Sequence, residues 1–112
     1  MAYRNIPEKP DKLFGALAHP IRVKIIECLV KCGPTTPKAL SKKISERMPR
    51  KISLQLLLQH IKILEKNNII IRTKQGRLHW CELRSRSVEQ MIEWLALQNY
   101  LWQDSIDRFE AQ

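Results

Sequence analysis

Three cysteines and three histidines are the residues of this 112-residue chain that could ligate metal or act on a substrate. Cys28 and Cys32 stand four apart, one turn of a helix, and thiolates so spaced can share a soft metal. Cys81 would supply the third ligand that an arsenite-like ion needs. The same spacing places both helix cysteines on the apolar side of IRVKIIECLVK, where a free cysteine behaves as a small hydrophobe. Core filling is the expectation, with no metal and no cofactor, and a thiol-based metal or redox sensor is the alternative. His19 adjoins Pro20 in a turn between helices, and His60 lies in a helical run as a packing residue. His79 alternates with Cys81 and Leu83 in a strand pattern that points it inward. The three histidines are read as isolated. No glycine-rich phosphate loop, carboxylate pair or nucleophile with a matched base is evident, so an enzyme is not expected.

The run SLQLLLQHIKIL, residues 53–64, offers a different chemistry. On a helical wheel Leu54, Leu57, Leu58, Ile61 and Leu64 share one face, while Gln55, Gln59, Lys62 and Lys66 share the opposite one. A glutamine amide can donate to and accept from an adenine edge together, so Gln55 and Gln59 are candidate base readers. Leu56 and Ile63 flank the polar stripe, where Leu56 could meet thymine methyl groups. Ser53, able to cap this helix, belongs to the same surface. Lys38, Lys42, Lys43, Arg50, Lys51, Lys62, Arg72, Lys74 and Arg77 would position such a surface on phosphates.

Charge supports a polyanion as partner. Residues 1–86 carry nineteen Lys and Arg against six acids, +13, whereas residues 87–112 carry one Arg against five acids, −4. Clustered cations gain from releasing counterions condensed on phosphates, so the basic body faces double-stranded DNA and the acidic tail has another duty. A stretch of about 18 apolar residues able to span a bilayer is missing, and MAYRNIPEKPDK lacks the apolar centre of a signal peptide. No membrane partner is expected. An odd, sparse set of cysteines fits a reducing compartment, and the expected location is cytoplasmic.

These residues need elements to hold them. DKLFGALAH has helical spacing at Leu13, Phe14 and Leu17, and Pro20 opens a second helix that Gly33 ends, with Ile21, Ile25, Cys28, Leu29 and Cys32 facing the core. Thr36 can cap a third, basic helix that begins at Pro37. Pro49 breaks the pattern before the helix 53–66, and Asn67-Asn68 ends it. IIIRTKQGRLHWCEL reads as two strands around Gln75-Gly76, a basic hairpin over 69–83. Ser87-Val-Glu-Gln90 is a capping box for a last helix over about 87–110. Val88, Met91, Ile92, Leu95, Trp102, Ile106 and Phe109 form its main apolar face, with Trp94 and Leu101 to the side. The fold class is mainly α with a small β component: a winged helix-turn-helix of about five helices and a two-stranded wing, in one domain over 1–112. In that architecture the helix 53–66 enters the major groove and the wing reaches toward phosphate or minor groove.

Three motifs carry a family resemblance. LFGALAHPIRVKIIECL resembles the opening helices of ArsR-type (arsenical-resistance repressor-like) regulators, QHIKILEKNNII is similar to their recognition helix and its exit, and QGRLHWCEL to their wing. The resemblance spans roughly residues 12–110. It implies a homodimeric transcriptional repressor on a near-palindromic operator, with an unknown inducer as a further partner and with Leu13, Phe14, Leu17, Trp94, Leu101 and Trp102 at the dimer interface. Trp94 and Leu101 also need cover on physical grounds, since one face of the last helix serves its own domain. The chain departs from the family pattern in three places. The turn before Ser53 is longer, and Leu54, Leu56 and Leu58 replace small polar residues. The metal ligands are also absent: the third helix reads PKALSKK, and residues 87–112 hold no histidine. The competing function is a winged-helix module that docks an acidic protein through Leu56, Ile63 and the basic surface.

Overall fold

Prolines and side-chain caps set most of the helix starts. The computed structural model describes residues 5–110. Helix α1 (Pro10–Leu17), α2 (Pro20–Cys32) and α3 (Pro37–Ser45) each begin on a proline, which has no N–H to leave unpaired in a first turn. His19 Nδ1 accepts from the Ile21 N–H at 3.1 Å and so caps α2. Thr36 Oγ1 accepts from the Ala39 N–H at 3.3 Å and caps α3. Gly33, at φ +71°, ends α2 in a conformation that a residue with a Cβ rarely takes. Ser53 caps α4 (Leu54–Lys66) by accepting from the Leu56 N–H, and Asn68 leads out of it at φ +58°.

Strands β1 (Ile70–Gln75) and β2 (Leu78–Leu83) pair antiparallel, from Ile70 opposite Leu83 to Gln75 opposite Leu78. The loop is therefore Gly76-Arg77, one residue later than the Gln75-Gly76 centre read from sequence. Gly76 has φ +63° while Arg77 keeps a negative φ, the pattern of a II′ turn with glycine at its first central position. A backbone bridge joins Thr35 to Cys81, fastening the loop before α3 to the root of the hairpin. Helix α5 (Ser85–Glu110) closes the chain. It starts two residues ahead of the expected capping box, and Ser87 is buried, its hydroxyl donating to the Asn68 carbonyl. The five helices and one hairpin of the described residues, in this order, make a winged helix-turn-helix, with α3 and α4 as the helix pair and β1–β2 as the wing.

Ile25, Leu40, Ile44, Leu57, Ile61, Leu64, Ile69, Ile70 and Cys81 are the fully buried centre of the core. The expected inward face of α4 holds for Leu57, Ile61 and Leu64, with Leu58 half-buried, but Leu54 is 43% exposed. It is the first residue of the helix, and the space below that end is filled by Ile52, which the preceding turn folds into the core. Cys32 also departs from its expected place. It is the last residue of α2, exposed where Gly33 turns the chain away. His79 is exposed because its position opposite Lys74 lies in the outer half of the wing, beyond the body.

The largest difference lies in α5. Met91 is buried and Val88 half-buried, but Ile92, Leu95, Trp102 and Phe109 are exposed, the last two at 64% and 81%. At about 1.5 Å per residue the helix runs roughly 39 Å, and among the helices it packs on α1 alone. Most of its length projects past the body. The radius of gyration is accordingly 17.5 Å, against about 13 Å for a compact domain of this length.

Candidate nucleic-acid interface

The turn between α3 and α4 is held by α3 itself. Ser41 Oγ donates to the Ile52 carbonyl at 3.1 Å, and Ser45 Oγ accepts from the Ile52 N–H at 3.0 Å. With the Ile52 side chain buried and Met48 packed on the core, this long turn is anchored at its far end. It delivers Ser53 and the N-terminus of α4 in a fixed place.

From that start α4 presents Gln55, Gln59 and Lys62 to solvent on one stripe, bordered by exposed Leu54, Leu56 and Ile63. Leu56 is 40% exposed, as its wheel position predicts. Lys38, Lys42 and Lys51 line a groove with Ser41, Ser45 and Leu54 beside the N-terminus of α4, so three of the expected phosphate contacts converge there. Arg50 is exposed on the same turn. Lys74 and Arg77 are exposed at the end of the wing, and His79 pairs across from Lys74 there, adding a polar group that its strand alternation had placed inside.

Two expected contacts are otherwise engaged. Arg72 makes an ion pair with Glu65 of α4 at 2.7 Å, with both side chains largely covered, so it ties the wing to α4. Lys43 lies on the α2 side of α3, away from Lys38 and Lys42, and its Nζ donates to Cys32 Sγ at 3.2 Å. Arg47 lines the same α2–α3 groove; the sequence reading did not single it out because no periodic pattern extends past Ser45.

Beneath α4 the structure joins two histidines that look unrelated in sequence. The rings of His19 and His60 lie 4.4 Å apart. Arg22 Nη1 donates to His60 Nδ1 at 3.0 Å, while its Nε donates to the Ala16 carbonyl at 2.6 Å. Burial, then the nearby His19 and Arg22, push the His60 pKa below its ordinary value, which suits an acceptor nitrogen facing a guanidinium. This network ties α1, α2 and α4 together under the exposed stripe.

No three His, Cys, Asp or Glu side chains among the described residues form a group that could hold a metal ion. The structure does not bring Cys28, Cys32 and Cys81 together: Cys81 is wholly buried at the wing root, where burial raises its thiol pKa to about 11, whereas Cys32 is exposed at the end of α2.

A crystal structure of an ArsR family transcriptional regulator is similar to this chain, with TM-score 0.72 and 33% sequence identity, over 87% of this chain and 93% of that one. The chain belongs to the ArsR family. An ArsR-like transcriptional regulator from Rhodococcus sp. RHA1 has TM-score 0.77 at 17% identity, covering 92% of this chain and 91% of its own. A homodimeric winged helix-turn-helix DNA-binding domain from Mycobacterium bovis has TM-score 0.61 at 14% identity, covering 90% and 84%. At those two identities the likeness to ArsR proteins is one of fold. No family model matches the sequence, and no curated protein matches it. This ArsR chain has no helix among its described residues long and apolar enough to cross a membrane.

Proposed function

We propose that this ArsR-family regulator is a cytoplasmic homodimeric repressor, a binding protein rather than an enzyme, whose single winged-helix domain reads an operator in double-stranded DNA. The observation that carries this reading is the outward stripe of Gln55, Gln59 and Lys62 on a capped α4, flanked by the Lys38, Lys42 and Lys51 groove and by the basic end of the wing. In that arrangement the lysines and wing residues hold phosphates, and the two amides of α4 reach base edges. The exposed apolar length of α5 supports a second copy as partner, since two domains joined there would offer two recognition helices to a near-palindromic site. Leu13 is only 6% exposed within the single chain, so it supports that surface from below, and the contact area falls to α5 and the rim of α1.

Selection of bound sequences from a random duplex pool, followed by titration at several salt concentrations, tests the reading. An enriched inverted repeat and an affinity that falls steeply with salt are expected. Failure to bind any duplex, with capture of an acidic protein that salt barely affects, would replace it with the protein-docking function.

A further inference from the structure

Within the groove between α2 and α3 lies a thiol arrangement that DNA recognition does not require. Cys32 Sγ is exposed and receives the Lys43 ammonium at 3.2 Å from the facing helix. Its neighbour one turn back, Cys28, is buried. We propose that Cys32 is a thiol-modification site that exchanges with small anionic disulfides, and that the resulting adduct weakens operator binding; the second half rests on the function proposed above.

The two cysteines have divided roles. The hydrogen bond from Lys43 is the main influence lowering the Cys32 thiol below its ordinary value, with the Cys28 hydrogen bond adding to it. Burial raises the Cys28 thiol, and its bond to Cys32 reinforces that. Cys32 is therefore the more readily ionised of the two. Cys81, buried and raised to about 11, is out of reach and unreactive at neutral pH. The surrounding groove, a cavity of about 230 Å³, has Lys24, Lys31, Lys43 and Arg47 on its walls against Glu27 and Glu46. Four cations against two acids favour an anionic reactant.

In the exchange, the Cys32 thiolate attacks one sulfur of R–S–S–R. A new sulfur–sulfur bond forms, the old one breaks, and RS⁻ leaves with its electron pair. The disulfide is the oxidant, so no further reagent is needed. The product places a bulky anionic group between α2 and α3, takes Lys43 from its partner and sets negative charge beside Arg47. Because α3 also carries Lys38 and Lys42, that charge opposes the approach of phosphates.

The reduced full-length chain is incubated with oxidised glutathione near neutral pH and followed by intact mass and peptide mapping. One adduct on Cys32 is expected, absent in Cys32→Ser and formed several-fold more slowly in Lys43→Gln. Oxidised glutathione should react faster than cationic cystamine once each rate is normalised to a free cysteine peptide. Equal rates in Lys43→Gln, preference for cystamine, or adducts on Cys28 or Cys81 instead would overturn the site. Affinity for the selected duplex is then compared before and after modification. A loss of roughly tenfold, reversed by dithiothreitol and absent in treated Cys32→Ser, supports the regulatory half. Unchanged affinity of the adduct overturns it. A reduced protein that binds no duplex defeats the operator reading and this half together, while the exchange rates decide the modification site alone.

Discussion

Residues close together on α4 face opposite ways, and substitution should separate their roles. Gln59 is exposed on the stripe, and its amide can bond both the donor and the acceptor on the major-groove edge of an adenine. Gln59→Ala is therefore expected to relax preference at one or two operator positions, with about 1–3 kcal/mol of discrimination lost. Lys62→Ala removes a charge with no base to read, so it should weaken all sequences alike and lower the salt slope by about one. Leu57 is fully buried beneath them; Leu57→Ala leaves a cavity and should cost about 2–5 kcal/mol of unfolding free energy. Binding titrations on a panel of duplexes, alongside urea unfolding, distinguish the three. If all three changes act only on stability, α4 is not the recognition helix.

Among the elements, the turn between α3 and α4 does most to place the candidate recognition helix. Its length alone would leave α4 loosely placed, yet Ser41 and Ser45 grip the backbone of Ile52 while the Ile52 side chain enters the core. Removing the Ser45 hydroxyl strands the Ile52 N–H away from its acceptor. Ser45→Ala is expected to lower stability by about 1–3 kcal/mol and to reduce affinity for every duplex by misplacing the N-terminus of α4. Chemical unfolding and binding titrations check the two effects; a variant as stable as the parent would show that Ile52 burial alone fixes the turn. The wing is placed by comparable means, through the Thr35–Cys81 bridge at its root and the Glu65–Arg72 ion pair on its side.

At the scale of the whole molecule, charge and shape are divided along one axis. The basic helix pair and wing form one part, and the acidic, apolar α5 extends from the other. Trp94 is half-buried and packs on Phe14 with ring centroids 5.3 Å apart, so its cover is partly intramolecular. Leu101 and Trp102 lie farther along α5 and are largely bare. Burying surfaces of this kind gains about 25 cal/mol per Å² of apolar area, and in the proposed dimer a second copy of α5 would provide the cover. Leu101→Glu combined with Trp102→Glu is expected to give a folded monomer with weakened operator binding. Sedimentation of the variant gives the answer, and an unchanged dimer mass would place the interface elsewhere.

The order of helices, the caps of α3 and α4, the hairpin and the inward Leu57 and Leu64 of α4 were legible because each depends on neighbours within one turn or one hairpin. Pro20, Thr36 with Pro37, Ser53 and Asn68 act on the backbone beside them, and the period of Leu57, Ile61 and Leu64 follows from the helix itself. The candidate base readers were legible for the same reason, as the positions left over on the polar side. What only the tertiary structure decided was which of these positions meet across the chain. Spacing placed Cys32 in the core, but the end of α2 exposes it to Lys43; His19 and His60, two of the histidines read as isolated, meet beside Arg22; Arg72 is claimed by Glu65. The wheel also overstated the core on α5. A periodic apolar face shows that a helix needs cover, but how far the rest of the chain reaches along it depends on where the other helices stop.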